Sequence, residues 1–418
     1  MISRVRGTED ILDLTLNNFC ITTIKKHLAL YNFSEIQTPI LEYTNLFTHA
    51  IGEATDIVTK EMFIIDREKA DGDKSICLRP ENTVSIIRAC HENRIQHFPW
   101  KVFTHGPMFR YERPQKGRLR QFTQCSIEAI GTTNIAEDAH FIKMLDTLFS
   151  KEFSLNNYVI KINFLGSVED RLVHKQALLT FLEQHENVIC QTCQARKDKN
   201  ILRIFDCKNP ACIELYTKAP KLIDYLGEEN KKEWETLQSL LQHLSVNTII
   251  DNTLVRGLDY YYKTVFEFSS ADLGAQNAFC GGGRYQLGKE VGAKENFPCI
   301  GVGIGIERLL MLLDNQRDKL PLPHQPALHV ILSITEEQNE LALFLAADLQ
   351  NYGLATDIIL EKASLSNMMK KANKLGASYV FIIGESEQQN GTVTIKNMQT
   401  GASVTIAQIE AANYLINP

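Results

Sequence analysis

Five cations crowd the stretch from Arg110 to Arg120: Arg110, Arg113, Lys116, Arg118 and Arg120, opposed there only by Glu112. Positive charge at that density suits a polyphosphate. Pro114 and Gly117 interrupt the stretch, so it reads as a loop. Its flanks, Lys101-Val102-Phe103 and 121–130, are rich in β-branched and aromatic residues and read as strands. The whole is a hairpin with a cationic tip. Phe122, Gln124, Ser126 and Glu128 are spaced by two and share one face of the second strand. A polar, acidic face beside a cationic loop makes a floor for a small cationic or amide-bearing ligand lying beneath a polyphosphate. A solvated hairpin with a charged tip is the plain alternative, but it would not need Phe, Gln and Glu together on one face.

Phe109-Arg110-Tyr111-Glu112, the basic loop and Phe122 resemble motif 2 of the class II aminoacyl-tRNA synthetases. The longer string ERPQKGRLRQFTQ is similar to the version in histidyl-tRNA synthetases. The resemblance implies an α+β catalytic domain built on an antiparallel sheet, with ATP, L-histidine and tRNA(His) as substrates.

The bulk properties fit a large globular protein. At 418 residues the chain suggests two or three domains with ample core. A net charge of −6 excludes a protein that grips nucleic acid by overall charge, so any RNA contact must be local. The charged start, without an apolar run, is not a signal peptide, and no stretch is long enough to span a bilayer. Ten scattered cysteines then point to free thiols in a reducing cytoplasm.

Leu16, Phe19 and Thr23 follow the opening Arg6-Gly7-Thr8-Glu9-Asp10 at helical spacing, and Phe33 to Leu41 reads as a strand with Pro39 near its end. RGTED and QTPILE are similar to motif 1, which implies a homodimer. Arg79-Pro80-Glu81 forms a rigid polar turn before the apolar helix 84–90, which Thr83 is placed to cap. By resemblance, Glu81 and Thr83 hold the α-amino group of histidine. Asn82 stands where the family usually has Gly, and Asn tolerates left-handed backbone better than most residues.

Asn134 to Lys151 reads as a helix and Tyr158 to Phe164 as a strand. From about Asp170 to Ile250 the composition becomes charged and helical, which suggests an insertion between two halves of one catalytic domain. The insertion carries Cys190-Gln-Thr-Cys193, then Cys207 and Cys212. Two cysteine pairs can hold zinc tetrahedrally. The second spacing is loose, however, and Leu202, Ile204 and Phe205 between the pairs suggest structural thiols in an ordinary core, so no protein-bound metal is expected.

The string from Leu254 to Tyr261, LVRGLDYY, resembles a signature that other class II enzymes lack. It implies that Arg256 sits against the α-phosphate and that Tyr260 and Tyr261 line the imidazole pocket. Gly281-Gly282-Gly283-Arg284-Tyr285 allows either a tight turn or close approach to a ligand, and puts Tyr285 at the histidine site. The family continues that string with Asp, where this chain has Gln286. The glycines at 301, 303 and 305 are not a dinucleotide fingerprint, because position 306 is Ile. GIERLLMLL is instead similar to motif 3, a strand and then a helix, which implies that Arg308 lies over adenine opposite Phe122.

Together the resemblance implies Glu81, Thr83, Gln124, Glu128, Tyr260, Tyr261 and Tyr285 around histidine, and Arg110, Glu112, Arg113, Arg118, Phe122 and Arg308 around ATP. Arg110 and Arg256 would serve the α-phosphate, and Arg113 and Arg118 the β and γ phosphates. Glu128 and a tyrosine hydroxyl would take the two edges of the imidazole. Mg²⁺ would bridge phosphate oxygens, held mostly by ATP.

The expected organisation is a first catalytic half at 1–169, an insertion at 170–250, a second half at 251–314, a linker at 315–326 and a C-terminal domain at 327–418. That last domain alternates strands and helices, reads as α/β with a mainly parallel sheet, and resembles an anticodon-binding domain. Lys370, Lys371 and Lys374 lie off the apolar stripe of a helix there. From Pro326 onward, however, five Lys and no Arg face nine acidic residues. Two rivals are a histidine-binding regulatory subunit of ATP phosphoribosyltransferase, a paralogue that generally lacks the C-terminal domain, and a prolyl- or threonyl-type synthetase. LVRGLDYY argues against both.

Overall fold

The computed structural model describes residues 2–52, 55, 57–65, 75–199, 201–323 and 326–416. It forms two compact units, Met1–Leu322 and Pro323–Pro418.

The strands of the first unit are β1 (Ser34–Glu35), β2 (Leu41–Tyr43), β3 (Phe63–Ile65), β4 (Ile76–Leu78), β5 (Trp100–Phe109), β6 (Gln121–Ile130), β7 (Val159–Phe164), β8 (Thr248–Ile250), β9 (Tyr261–Ser269), β10 (Ala278–Leu287) and β11 (Phe297–Gly305). Eight of them form one sheet in the order β1-β5-β6-β11-β10-β9-β7-β8. Its six inner strands are antiparallel, with β1 and β8 added parallel at the two edges. The central pairing of β6 with β11 joins chain segments that are far apart in sequence, Glu128 opposite Gly301 and Gln124 opposite Gly305.

Alternation along these strands separates two jobs. Cys125, Ile127, Val302, Ile304, Phe266 and Phe268 point to a core shared with the helices Thr15–Leu30, Ile135–Thr147, Glu228–His243 and Ile306–Asp314. Each such side chain contributes about 1.5–3 kcal/mol when fully buried. The opposite face carries Gln124, Ser126 and Glu128, and across from them the strand glycines. Arg284, one residue out of phase with Tyr285, points away from that polar face. Almost fully buried, it donates to Thr132 O at 2.5 Å, Asn134 O at 3.0 Å and Asp138 Oδ2 at 3.1 Å. This pins the helix Ile135–Thr147 to the sheet.

Several expectations need correcting. The strand expected from Phe33 to Leu41 is split into β1 and β2, with Pro39 in the irregular chain between them. The reason is a contact distant in sequence: Arg79 Nη1 donates to Thr38 O at 2.9 Å and Pro39 O at 3.4 Å, so a side chain replaces a neighbouring strand. The Gly281–Gly283 run is extended strand inside β10, not a turn. Part of the expected linker is ordered, because Leu320 and Leu322 pack on the main core.

Within residues 170–250, Leu178 to Ala219 make a small core of their own, whereas Trp234, Leu237 and Leu241 belong to the main core. The second unit has a sheet in the order β13-β12-β14-β15-β16, where β12 is Leu328–Ser333, β13 Thr356–Ile359, β14 Ala377–Ile383, β15 Thr392–Asn397 and β16 Ser403–Ala407. β12 pairs parallel with β13 and β14, whereas β14–β15 and β15–β16 are antiparallel, so this sheet is mixed rather than mainly parallel. No helix of the described residues is long and apolar enough to cross a membrane.

Candidate active site

A cavity of about 370 Å³ opens on the polar face of the sheet. That is enough for a small ligand. The first half of the chain lines it with Glu81, Thr83, Arg110, Glu112, Arg118, Phe122 and Gln124. The second half lines it with Arg256, Tyr260, Tyr261, Glu267 and Arg308. Arg110 and Arg256 therefore reach one space from the two halves of the chain.

Glycines make this space possible. A Cβ on Gly281 would overlap the Arg256 guanidinium, and one on Gly301 would overlap the Glu128 carboxylate. The two long side chains lie flat over strands that carry no side chain at those points.

Arg256 Nη1 donates to Glu267 Oε2 at 2.9 Å, while its buried Nε has no partner. A buried guanidinium donor left open suits an acceptor oxygen brought by a ligand. Arg110 Nε donates to Pro80 O at 2.8 Å, and its guanidinium lies 5.3 Å from the centre of the Phe122 ring. Arg118 forms an ion pair with Glu112. Arg308 Nε donates to Gly117 O at 2.7 Å and its Nη1 to Ala278 O at 2.5 Å, so it ties the basic loop to the floor.

Beside this cationic end lies an acidic and aromatic end. Glu81 is buried and accepts from Thr83 N at 2.8 Å and Val84 N at 2.9 Å. Those bonds make Glu81, not Thr83, the side chain that satisfies the start of the helix Thr83–Glu92. Thr83 Oγ1 is then free to donate to Glu128 Oε1 at 2.7 Å, and Tyr285 OH donates to Glu128 Oε2 at 2.7 Å. Asn82 has φ −120°, so the position makes no left-handed demand and Gly is not needed there. The rings of Tyr260 and Tyr261 lie 4.7 Å apart, and Tyr260 lies 5.3 Å from Tyr285.

Burial pushes the Glu81 carboxyl above its ordinary value despite its backbone donors. Burial also raises Glu128, to about 8, against the opposing bonds from Tyr285 and Thr83.

Most of the residues expected at the site line this cavity. Glu128 and Tyr285 stand one layer behind its wall, joined to it through Thr83 and Tyr260. Arg113 is exposed and lines a separate recess with Glu61 and Glu112. Glu267 was missed by the sequence reading. Its signal was a lone carboxylate between Phe266 and Phe268 in β9. Glu307, also unforeseen, caps the approach of the hairpin by accepting from Thr123 N at 2.6 Å.

The family profile described as histidyl-tRNA synthetase matches residues 17–309, and the one described as anticodon binding domain matches residues 329–417. The histidine–tRNA ligase of Halothermothrix orenii is 43% identical over 407 residues, 96% of each chain. That of Fervidobacterium nodosum is 40% identical over 406 residues, 96% of this chain and 95% of the relative. The crystal structure of apo S. aureus histidyl-tRNA synthetase superposes with a TM-score of 0.79 at 31% identity, covering 99% of both chains. With the profile spanning most of its length and relatives this similar over nearly all of it, the chain belongs to the histidyl-tRNA synthetase family.

Proposed function

We propose that L-histidine and ATP react in this cavity to give histidyl-adenylate and pyrophosphate, and that the histidyl group then passes to the 3′ end of tRNA(His). The observation that carries this reading is the meeting of Arg110 and Arg256 in one cavity, next to Glu81, Thr83 and the tyrosines.

Attack of a carboxylate on the α-phosphorus brings two anions together, so fixed cations must offset their repulsion. Arg110 and Arg256 are assigned to the α-phosphate. Arg118 is assigned to the β and γ phosphates, and Arg113 joins it only if the basic loop moves. Phe122 and Arg308 present a ring face and a guanidinium to adenine. Glu81 and Thr83 take the α-amino group of histidine, Gln124 and the tyrosines surround its side chain, and Glu128 orients Thr83 and Tyr285 from behind.

Mg²⁺ requires oxygen ligands. Besides Glu81, the carboxylates on the cavity wall are Glu112, Glu267 and Glu307, engaged by Arg118, Arg256 and Thr123 N. This fits an ion held chiefly by the phosphates of the nucleotide, with these side chains as additional oxygen donors.

The exposed apolar side chains of Ile40, Leu41 and Tyr43, in the segment similar to motif 1, support a homodimer. The second unit is assigned to tRNA(His). Lys370, Lys371 and Lys374 are exposed on one helix there, with Lys371 paired to Glu361. Ten free cysteines suit the cytoplasm.

Amino-acid-dependent ATP–pyrophosphate exchange across the twenty amino acids tests the reading. Histidine alone should support exchange; exchange with another amino acid, or none with histidine, would contradict it. A subtler variant is Gly281→Ala, whose new methyl displaces Arg256 without removing it. Its exchange rate should fall about tenfold to a hundredfold with the fold intact by circular dichroism.

A further inference from the structure

The stretch between the helices Val168–Glu183 and Glu228–His243 has only a small core to hold it together. Its helices are short: Gln191–Lys199, Ile201–Asp206 and Pro210–Tyr216, of nine, six and seven residues. Helices this short are marginal by themselves. The core beneath them, from Leu178 to Ala219, is that of a very small domain. At such sizes a metal or disulfides usually supply the missing stability.

The four cysteines of this stretch supply a candidate. The sulfurs of Cys190, Cys193, Cys207 and Cys212 all lie within 4.8 Å of one another. Cys190 Sγ and Cys207 Sγ are 3.7 Å apart. A tetrahedral zinc with bonds of about 2.3 Å has ligand sulfurs separated by roughly 3.8 Å. The observed spacing is far too long for a disulfide, which needs about 2.05 Å. It is too short to surround a core of several irons and sulfides.

Two backbone donors already point at these sulfurs. Cys190 N lies 3.2 Å from Cys212 Sγ, and Asn209 N lies 3.4 Å from Cys207 Sγ. Such bonds stabilise thiolates and fix ligand orientation. Nearby, the buried hydroxyl of Tyr216 faces the thiols of Cys193 and Cys212. The loose second spacing is taken up locally, because Cys207 precedes the helix Pro210–Tyr216 and Cys212 is its third residue. Apolar packing alone does not select sulfur for sulfur. Among the described residues, the other six cysteines belong to no such group.

The cluster also has a line to the active site. Arg203 lies between its second and third members. Arg203 Nη2 donates to Gly257 O at 2.6 Å and to Asp259 Oδ1 at 3.1 Å. Gly257 follows Arg256 directly, and Asp259 lies in the same loop. Arg196, on the helix begun by the first cysteine pair, donates to Arg203 O at 2.9 Å.

We propose that Cys190, Cys193, Cys207 and Cys212 bind one structural zinc ion, and that the segment so fixed holds the Arg256 loop in place through Arg203. The zinc part stands without the catalytic reading; the part concerning the loop rests on the role given to Arg256 above. Arg203 is a positioning residue, since it touches the loop and not the cavity ligands.

The test is a metal count by mass spectrometry on the full chain, purified in reducing buffer without chelator. About one zinc per chain is expected, falling to background in Cys193→Ser and Cys207→Ser. If those variants fail to fold, the wild-type protein itself is treated with a mercurial, and zinc should be released as four thiols react. Less than about a tenth of an equivalent of zinc, with no uptake from added zinc, would overturn the site. So would an equivalent of iron in its place. For the loop, Arg203→Ala should keep its zinc while exchange falls about tenfold. Wild-type exchange in a zinc-loaded Arg203→Ala protein would overturn the tether alone. Absence of histidine-dependent exchange in the wild type would overturn the catalytic reading without touching the metal count.

Discussion

Arg256→Ala is expected to lower the rate of histidine-dependent pyrophosphate exchange at saturating ATP by about 10²–10³-fold, equivalent to about 3–4 kcal/mol of lost transition-state stabilisation. ATP affinity should change by less than about tenfold. The asymmetry follows from the geometry. Arg110, Arg118 and Arg308 still line the cavity, and the proposed reading leaves the nucleotide to them. What goes is the guanidinium fixed by Glu267 over Gly281, whose buried Nε has no acceptor within the protein. A group held in advance where charge develops acts on the barrier more than on binding. Arg256→Lys should recover little, because a single ammonium cannot bond Glu267 and a phosphate in the same plane. Equal losses in exchange and in ATP affinity would reduce Arg256 to a binding residue.

Glu128→Ala should lose histidine-dependent exchange by about 10²-fold or more while the protein remains folded. Both carboxylate oxygens accept buried hydroxyls, Thr83 on one side and Tyr285 on the other. Removing the acceptor leaves two buried donors unsatisfied, at about 1–3 kcal/mol each, and frees the side chains that shape the amino-acid end. A site built on hydrogen bonds to its substrate discriminates by several powers of ten, and disordering it forfeits that. Near-normal exchange in Glu128→Ala would remove Glu128 from the site.

The same carboxyl gives a pH signature. Burial raises it from 4.5 to about 8 in the folded protein. Below the unfolded value both states are protonated and nothing is lost. Between the two values the unfolded chain ionises first, so stability falls as pH rises, by up to about 1.4 kcal/mol per unit. Glu128→Gln has no such proton. Urea unfolding of the two proteins should therefore show the wild type losing ground to Glu128→Gln as pH is raised through this window. A gap independent of pH would mean that the carboxyl is ionised throughout.

Much of the site was legible because its signals are local. The cationic loop declared itself through Pro114 and Gly117 among arginines, and the polar floor through the two-residue spacing from Phe122 to Glu128. What could not be read is what depends on packing between distant segments. The glycines at 281 and 301 looked like turn or motif residues, yet each makes room for a side chain from another part of the chain. Thr83 looked like a helix cap because its partner Glu128 lies across the fold. Pro39 sat in an apparent strand because nothing local shows that Arg79 takes its carbonyl. The four cysteines are similar: spacing alone left open a core of thiols, and only the fold of the short helices between them gathers the sulfurs.

The most direct test of the central claim is a crystal structure of the full chain with a non-hydrolysable histidyl-adenylate analogue. The account predicts guanidinium nitrogens of both Arg110 and Arg256 within about 3 Å of the α-phosphate oxygens, with the imidazole among Tyr260, Tyr261 and Gln124. An analogue whose phosphate touches neither arginine, or only one, would contradict it.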